Sequence, residues 1–169
     1  KELIEKAKEF LNNWKDFPVV VKASGLAAGK GVIICQDAEE ASRAIEDMLI
    51  DNAFGDAGAR VVIEEFLQGE EVSILAFSDG KTVVPMVSSQ DHKRIFDHDK
   101  GPNTGGMGAY SPAPIYTEEV AKFTQTDILE RTIEAMAKEG ATFKGILYAG
   151  LMVTDKGVKV LEFNARFGD

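Results

Sequence analysis

The sequence predicts an α+β protein of two lobes with mainly antiparallel sheets. Three observations carry this prediction. Apolar residues recur at helical spacing in three separated stretches. Short β-branched runs lie between and after them. Those runs adjoin one another through tight-turn signals such as Asp79-Gly80 and Asp155-Lys156-Gly157, as antiparallel neighbours do.

Residues 2–13 place Leu3, Ile4, Ala7, Phe10 and Leu11 on one face of an amphipathic helix. Pro18 then opens a strand running through Val19–Val21, and Val32–Cys35 forms its hairpin partner. Asp37 with Glu40 three residues later marks the start of a second helix, buried through Ala41, Ile45, Met48 and Leu49. Residues 51–60 read as a loop. Val61–Leu67 is a strand that Gln68-Gly69 breaks, and Val72–Phe77 and Thr82–Met86 form a hairpin. Residues 90–114 read as a long Gly- and Pro-rich loop, a length that inside a compact domain points to function or disorder. Thr117 caps a third helix with Leu129, Ile133, Met136 and Ala137 on its buried face and Gly140 past its end. Ile146–Val153 and Val158–Phe163 make the last hairpin.

At 169 residues the chain is long enough for a real core, as one domain or two small lobes. Its net charge of -9 argues against a general nucleic-acid or membrane-surface binder. The single cysteine, Cys35, has no internal partner, which suits the cytosol, and it reads as a small strand residue. No signal peptide or membrane span is visible. The chain starts at Lys1 without Met and stops at Asp169 straight after a glycine, so the expectation is a fragment of a longer protein.

Four clusters carry chemistry. In the first, Lys22 to Gly31 form the tip of the first hairpin. Gly25, Gly29 and Gly31 strip Cβ atoms from that tip, so amides can approach an anion, and Lys22 and Lys30 bracket it with positive charge. Ser24 and Gly31 occupy places where a Walker A loop needs Gly and Ser or Thr, and a strand rather than a helix follows, which excludes a dinucleotide fingerprint. A polyphosphate cradle and a plain flexible tip both fit the loop alone.

The second cluster is Glu64-Glu65-Phe66-Leu67 with Glu71 beyond it. A strand ending in a short linker leaves backbone groups able to read a purine edge, and Glu71 can take ribose hydroxyls; a solvated acidic edge is the competing reading. The third is Gln90-Asp91-His92-Lys93-Arg94, followed by the glycine-dense Gly101–Gly108, which fits a second phosphate cradle; His92 could act as an acid or base there, and a polar contact is the more frequent role of a lone loop histidine. The fourth is Leu161 to Arg166. Strand alternation puts Glu162 and Asn164 on one face while Leu161 and Phe163 point into a core. Two hard oxygen ligands suit Mg²⁺, and Arg166 beside them can clamp a transferring phosphoryl group; an exposed polar edge is the alternative.

With the four clusters placed, the chain resembles the glycinamide ribonucleotide synthetase (phosphoribosylamine–glycine ligase) family of ATP-grasp enzymes of purine synthesis. The resemblance rests on VVVKASGLAAGKGV, NAFGDAGARVVIEEFLQGEEVS, SQDHKR, GPNTGGMGAYSPAP, GILYAGLMV and EFNARFGD, spread from about residue 18 to 169. It implies an ATP-grasp fold, with residues 1–68 as a lid lobe and 69–169 as the first part of a core lobe closing on ATP. The family's amino- and carboxy-terminal domains would be absent.

The resemblance further implies that Lys22, with Gly25, Gly29, Lys30 and Gly31, meets the ATP phosphates. Glu64, Glu65, Phe66 and Leu67 would line the adenine, with backbone groups of Glu65 and Leu67 reading it, and Glu71 would hold the ribose. Glu162 and Asn164 would carry Mg²⁺ or Mn²⁺. Asp91, Lys93, Arg94, Gly105, Gly106, Gly108 and Arg166 would line the amine and glycine side. The implied reaction phosphorylates glycine with ATP, and 5-phosphoribosylamine then attacks the glycyl phosphate. It would run in the cytoplasm on small molecules, with no nucleic acid or membrane partner and with the rest of a parent chain completing the site. Two rivals stand: another ATP-grasp carboxylate–amine ligase, and a nucleotide-binding fragment inactive alone. Ala149-Gly150 replace an Asp metal ligand common in relatives, and Ala165 stands where Cys is expected.

Overall fold

The computed structural model describes residues 2–24, 31–49, 60–92, 94–97, 100–104 and 107–167, which fall into two compact units, Lys1–Leu67 and Gln68–Asp169. The predicted loop at 51–59 and the hairpin tip at 25–30 lie outside the described residues.

The first unit is a three-stranded antiparallel sheet with two helices on one face. Helix α1 spans Glu2–Asn13 and α2 Ala38–Leu49. Strands β1 (Val19–Ala23), β2 (Val32–Cys35) and β3 (Val61–Glu65) stand in the order β2-β1-β3. Val19 pairs with Cys35 and Glu65, and Val21 with Ile33 and Ile63, so odd positions of β1 turn toward the helices. There Val19, Val21 and Cys35 close a core with Leu11, Ala41, Ile45 and Met48. Burial pushes the Cys35 thiol pKa up, consistent with a packing residue rather than a nucleophile. The α2 start follows the sequence reading: Asp37 Oδ1 accepts from the Glu40 amide at 2.8 Å, and Glu40 Oε2 accepts from the Gln36 amide at 2.8 Å.

The second unit is a four-stranded antiparallel sheet of order β11-β10-β4-β5, built from β4 (Glu70–Ser78), β5 (Val83–Pro85), β10 (Gly145–Thr154) and β11 (Gly157–Asn164). Val72, Ile74 and Ala76 sit opposite Leu151, Ala149 and Leu147, and this face packs on Ile128, Leu129 and Ile133. Each large side chain of this kind taken from water contributes about 1.5–3 kcal/mol.

Three sequence readings need correction. The predicted third helix is α3 (Glu118–Phe123) and α4 (Arg131–Lys138) joined by a π-helical stretch, Thr124–Glu130. The wider turn rotates the stripe, so Ile128 joins Leu129 and Ile133 inside while Met136 and Ala137 are exposed. Residues 90–114 are not an irregular loop throughout: β6 (Gln90–Asp91) pairs with β9 (Ala109–Tyr110), and β7 (Arg94–Phe96) with β8 (Lys100–Asn103). Finally, Phe163 does not fill the core: it is 40% exposed, and Leu161 is only half-buried at a break in register.

Candidate functional site

On the first unit the sheet face away from the helices carries Val20, Lys22, Val32, Ile34, Val62 and Glu64, because these positions share strand parity across three registers. Val32, Ile34 and Val62 are 42–45% exposed, so the face presents an apolar patch. At its end, Lys22 Nζ meets Glu64 Oε2 at 2.6 Å across the β1–β3 pair. A cation, its carboxylate partner and a flat apolar surface therefore lie together. Gly31 is buried at the base of the hairpin, where its carbonyl accepts from the Ala23 amide at 2.8 Å. Gly25, Gly29 and Lys30 lie outside the described residues. Glu65 pairs with Val19, so its side chain takes the opposite face from Glu64 and is exposed. Phe66 and Leu67 follow β3 half-buried, and β3 is an edge strand among the described residues.

On the second unit a register break shapes the candidate metal face. Between Gly150 and Leu151 the β10–β11 pairing slips by one residue, leaving Leu161 without a partner position. Val158 and Val160 sit opposite Val153 and Leu151; Val158 packs against the core, while Val160 at the sheet edge is 39% exposed. Past the break, Glu162 sits opposite Gly150 and Asn164 opposite Tyr148, on the other side. The bulge thus swaps parity and turns two polar residues off the core. Asn164 Nδ2 donates to Glu162 Oε1 at 3.0 Å, so the two share a face as the sequence predicts.

Ser73, Leu75 and Glu71 of β4 share that face through their pairing with Gly150, Tyr148 and Met152. Glu71 is half-buried. A Cβ on Gly150 would lie 3.4 Å from both Glu162 Cγ and the Tyr148 ring, so the glycine gives these two side chains their room. Ala149, in contrast, is fully buried on the core side. An acidic side chain at 149 would enter the core, whereas one at 150 would start in contact with Glu162 and Tyr148 on the polar face. Arg166, just past β11, holds its guanidinium carbon 5.7 Å above the Tyr148 ring, and its Nη1 donates to the Phe167 carbonyl at 2.8 Å.

The third cluster is assembled by strand pairing. Asp91 faces Ala109 in the β6–β9 ladder, which continues as the His92 amide donates to the Gly108 carbonyl at 2.9 Å and the Met107 amide to the His92 carbonyl at 2.8 Å. The backbone of Arg94 pairs with Asn103. The described parts of the Gln90–Arg94 and Gly101–Gly108 segments, close in the chain, are thus also neighbours through strand pairing. Lys93, Gly105 and Gly106 lie outside the described residues. The His92 ring lies 5.1 Å from the Tyr110 ring, centroid to centroid, at a tilt of 36°. Ser88 anchors the far end, its hydroxyl accepting from the Ala113 amide and its carbonyl from Ser111 Oγ.

The donor set fits a hard divalent cation that shares substrate phosphates. Glu162 offers a carboxylate, and the Asn164 amide stands next to it with its nitrogen turned to that carboxylate, while among the described residues no cluster of three or more His, Cys, Asp and Glu could cage a metal. Mg²⁺ commonly binds one or two protein carboxylates and completes its shell with waters and phosphates. Sequence reasoning missed Tyr148 and Ser73, whose hydroxyls meet at 2.8 Å on this face. A signal for one of them exists in the chain: Tyr148 shares strand parity with Gly150. Among the described residues, no helix is long and apolar enough to cross a membrane.

Comparison with known proteins places the chain as a whole. The family model for the phosphoribosylglycinamide synthetase ATP-grasp (A) domain matches residues 2–169. A phosphoribosylamine–glycine ligase of Escherichia coli (strain K12) is 58% identical over 167 residues, covering 98% of this chain and 39% of that protein. One from Halalkalibacterium halodurans is 60% identical over 152 residues, covering 90% of this chain and 36% of that protein. The crystal structure of the Thermotoga maritima phosphoribosylamine–glycine ligase superposes with a TM-score of 0.83 at 36% identity, over 98% of this chain and 41% of that one. The chain thus has the ATP-grasp fold and spans about 39% of the length of such curated relatives.

Proposed function

Because the chain belongs to the phosphoribosylglycinamide synthetase ATP-grasp (A) domain family, we propose that it is the nucleotide-binding part of a cytoplasmic phosphoribosylamine–glycine ligase. Ligation itself we assign to the longer chain, since this stretch spans 39% of its relatives' length. The observation that carries the reading is the polar face of the second unit, where Glu162 and Asn164 are turned off the core by a bulge and Arg166 stands beside them.

In this reading ATP and glycine bind first. A glycine carboxylate oxygen attacks the γ-phosphorus, the bond to the bridging oxygen breaks, and ADP leaves. The amine of 5-phosphoribosylamine then attacks the acyl carbon of glycyl phosphate, loses a proton, and expels phosphate, giving glycinamide ribonucleotide. Negative charge on the transferring group must be met by fixed cations. Lys22 is assigned to the phosphates and exchanges its Glu64 partner for a phosphate oxygen. Gly25, Gly29, Lys30 and Gly31 are assigned to the same phosphates. Glu65, Phe66 and Leu67 are assigned to adenine and Glu71 to the ribose. Arg166 is assigned to the transferring phosphoryl group. Asp91, Lys93, Arg94, Gly105, Gly106 and Gly108 are assigned to the glycine and amine side. Glu162 and Asn164 would hold Mg²⁺ or Mn²⁺, which supplies charge neutralisation on the phosphate oxygens. The test is ADP release by the full-length protein. It should require both glycine and 5-phosphoribosylamine; equal turnover with an unrelated amine acceptor would overturn the assignment in favour of another ATP-grasp carboxylate–amine ligase.

A further inference from the structure

Tyr148 stands at the middle of the polar face, and the proposed reaction gives it no role. Its place is set from three directions. Its hydroxyl meets Ser73 Oγ at 2.8 Å, on a serine only 8% exposed. Ser73 is itself tied by two backbone hydrogen bonds to Ser89, 2.8 and 3.1 Å, where the chain enters β6. The tyrosine ring leans over Gly150, whose missing Cβ would be 3.4 Å from the ring edge. Asn164 is its direct neighbour across the β10–β11 pair. The ring then carries the Arg166 guanidinium over one face at 5.7 Å.

The arrangement has a physical logic. Arg166 lies past the last residue of β11, so the sheet ladder does not fix it. Its Nη1 donates to the carbonyl of the next residue, Phe167, at 2.8 Å, and whatever rotamer freedom is left to this long exposed side chain is lost when it must meet a phosphoryl group. An aromatic ring whose own rotamer is locked by a hydroxyl bond offers the cation one preferred position without competing for its N–H donors. An aliphatic residue would not attract the charge, and an acidic one would occupy the donors.

We propose that Tyr148, locked by Ser73 and seated over Gly150, is a positioning residue that holds Arg166 on the face bearing Glu162 and Asn164. This rests on the reading of Arg166 as the phosphoryl clamp. Tyr148 touches no reacting atom; it acts through the arginine.

The test uses the full-length ligase and steady-state ADP release with saturating glycine and 5-phosphoribosylamine. Tyr148→Leu removes the ring and should lower kcat by about two- to fivefold, the range of a partly exposed cation–π contact, with KM for ATP little changed. Tyr148→Phe keeps the ring and loses the lock, so its loss should be smaller and matched by Ser73→Ala; the Tyr148→Phe/Ser73→Ala double variant should fall no further. In an Arg166→Ala background, Tyr148→Leu should have no additional effect on kcat. An additive loss in that background, or an unchanged kcat in Tyr148→Leu, overturns the positioning role. If Arg166→Ala itself leaves kcat unchanged, the clamp reading fails, and the positioning role falls with it. Should Tyr148→Leu not fold, the Phe and Ser73 variants decide: unequal or additive effects of those two reject the lock.

Discussion

At the scale of single residues, Asp79 shows how much one carboxylate does for a turn. Its Oδ1 accepts from the amides of Lys81 and Thr82 at 2.8 and 2.7 Å, closing the β4–β5 hairpin. Those amide donors, Thr82 first, hold the carboxyl below the usual aspartate range. A group whose folded pKa is depressed stabilises the fold above its unfolded pKa and loses that contribution as pH falls through the folded one. Asp79→Asn should therefore be less stable than the parent at neutral pH, and the gap should close in acid once Asp79 is protonated. Urea midpoints of both proteins from neutral to acid pH check this; a gap independent of pH would mean the charge is irrelevant to the turn. The same attention to one position explains Ala149-Gly150. Of the two, only Gly150 faces the polar surface, where Glu162 and Tyr148 stand within contact distance of the place a Cβ would take.

At the scale of elements, Gly69 marks where β4 meets β10. A Cβ there would lie 2.2 Å from the Val153 carbonyl oxygen, a backbone atom that can move only with its strand. Gly69→Ala should cost about 1–3 kcal/mol, as overpacking does, measured by urea unfolding at constant m-value; an unchanged midpoint would contradict the close strand approach. Element existence was legible in the sequence where one signal dominated. The Asp37–Glu40 cap, the Asp79-Gly80 turn and the apolar stripes of α1 and α2 each follow from local chemistry. Two features were not legible because they break a period. The π-helical stretch Thr124–Glu130 inserts a wider turn, which moves the stripe away from Met136 and Ala137. The bulge at Leu161 changes strand parity. It leaves one trace in the chain: Val158, Val160, Glu162 and Asn164 share parity, yet two are core-type and two are not. The ribbons within residues 90–114 are invisible to periodicity because strands of two to four residues carry too few positions to show alternation.

At the scale of the whole molecule, the candidate site reads in the sequence as four scattered motifs, and pairing gathers several of their members. Strand register brings Lys22 within reach of Glu64, Asp91 against Ala109 beside Gly108, and Glu162 beside Asn164, while Arg166, past the end of β11, lies over Tyr148. Motif chemistry named these residues; only the register says which face each occupies. The central claim is that Glu162 and Asn164 hold a divalent cation for the nucleotide phosphates. Gly150 brings no carboxylate to that face, and Glu162 sits opposite it beside Asn164, whereas Glu71 on the same face sits opposite Met152, so the loss of Glu162 removes the carboxylate next to Asn164. The direct measurement titrates a non-hydrolysable ATP analogue, with and without Mg²⁺, into full-length protein and its Glu162→Gln variant. Mg²⁺ should strengthen binding to the parent and do little for the variant, while an exposed Glu→Gln change leaves stability within about 0.5 kcal/mol. An equal Mg²⁺ dependence in both proteins would contradict the claim.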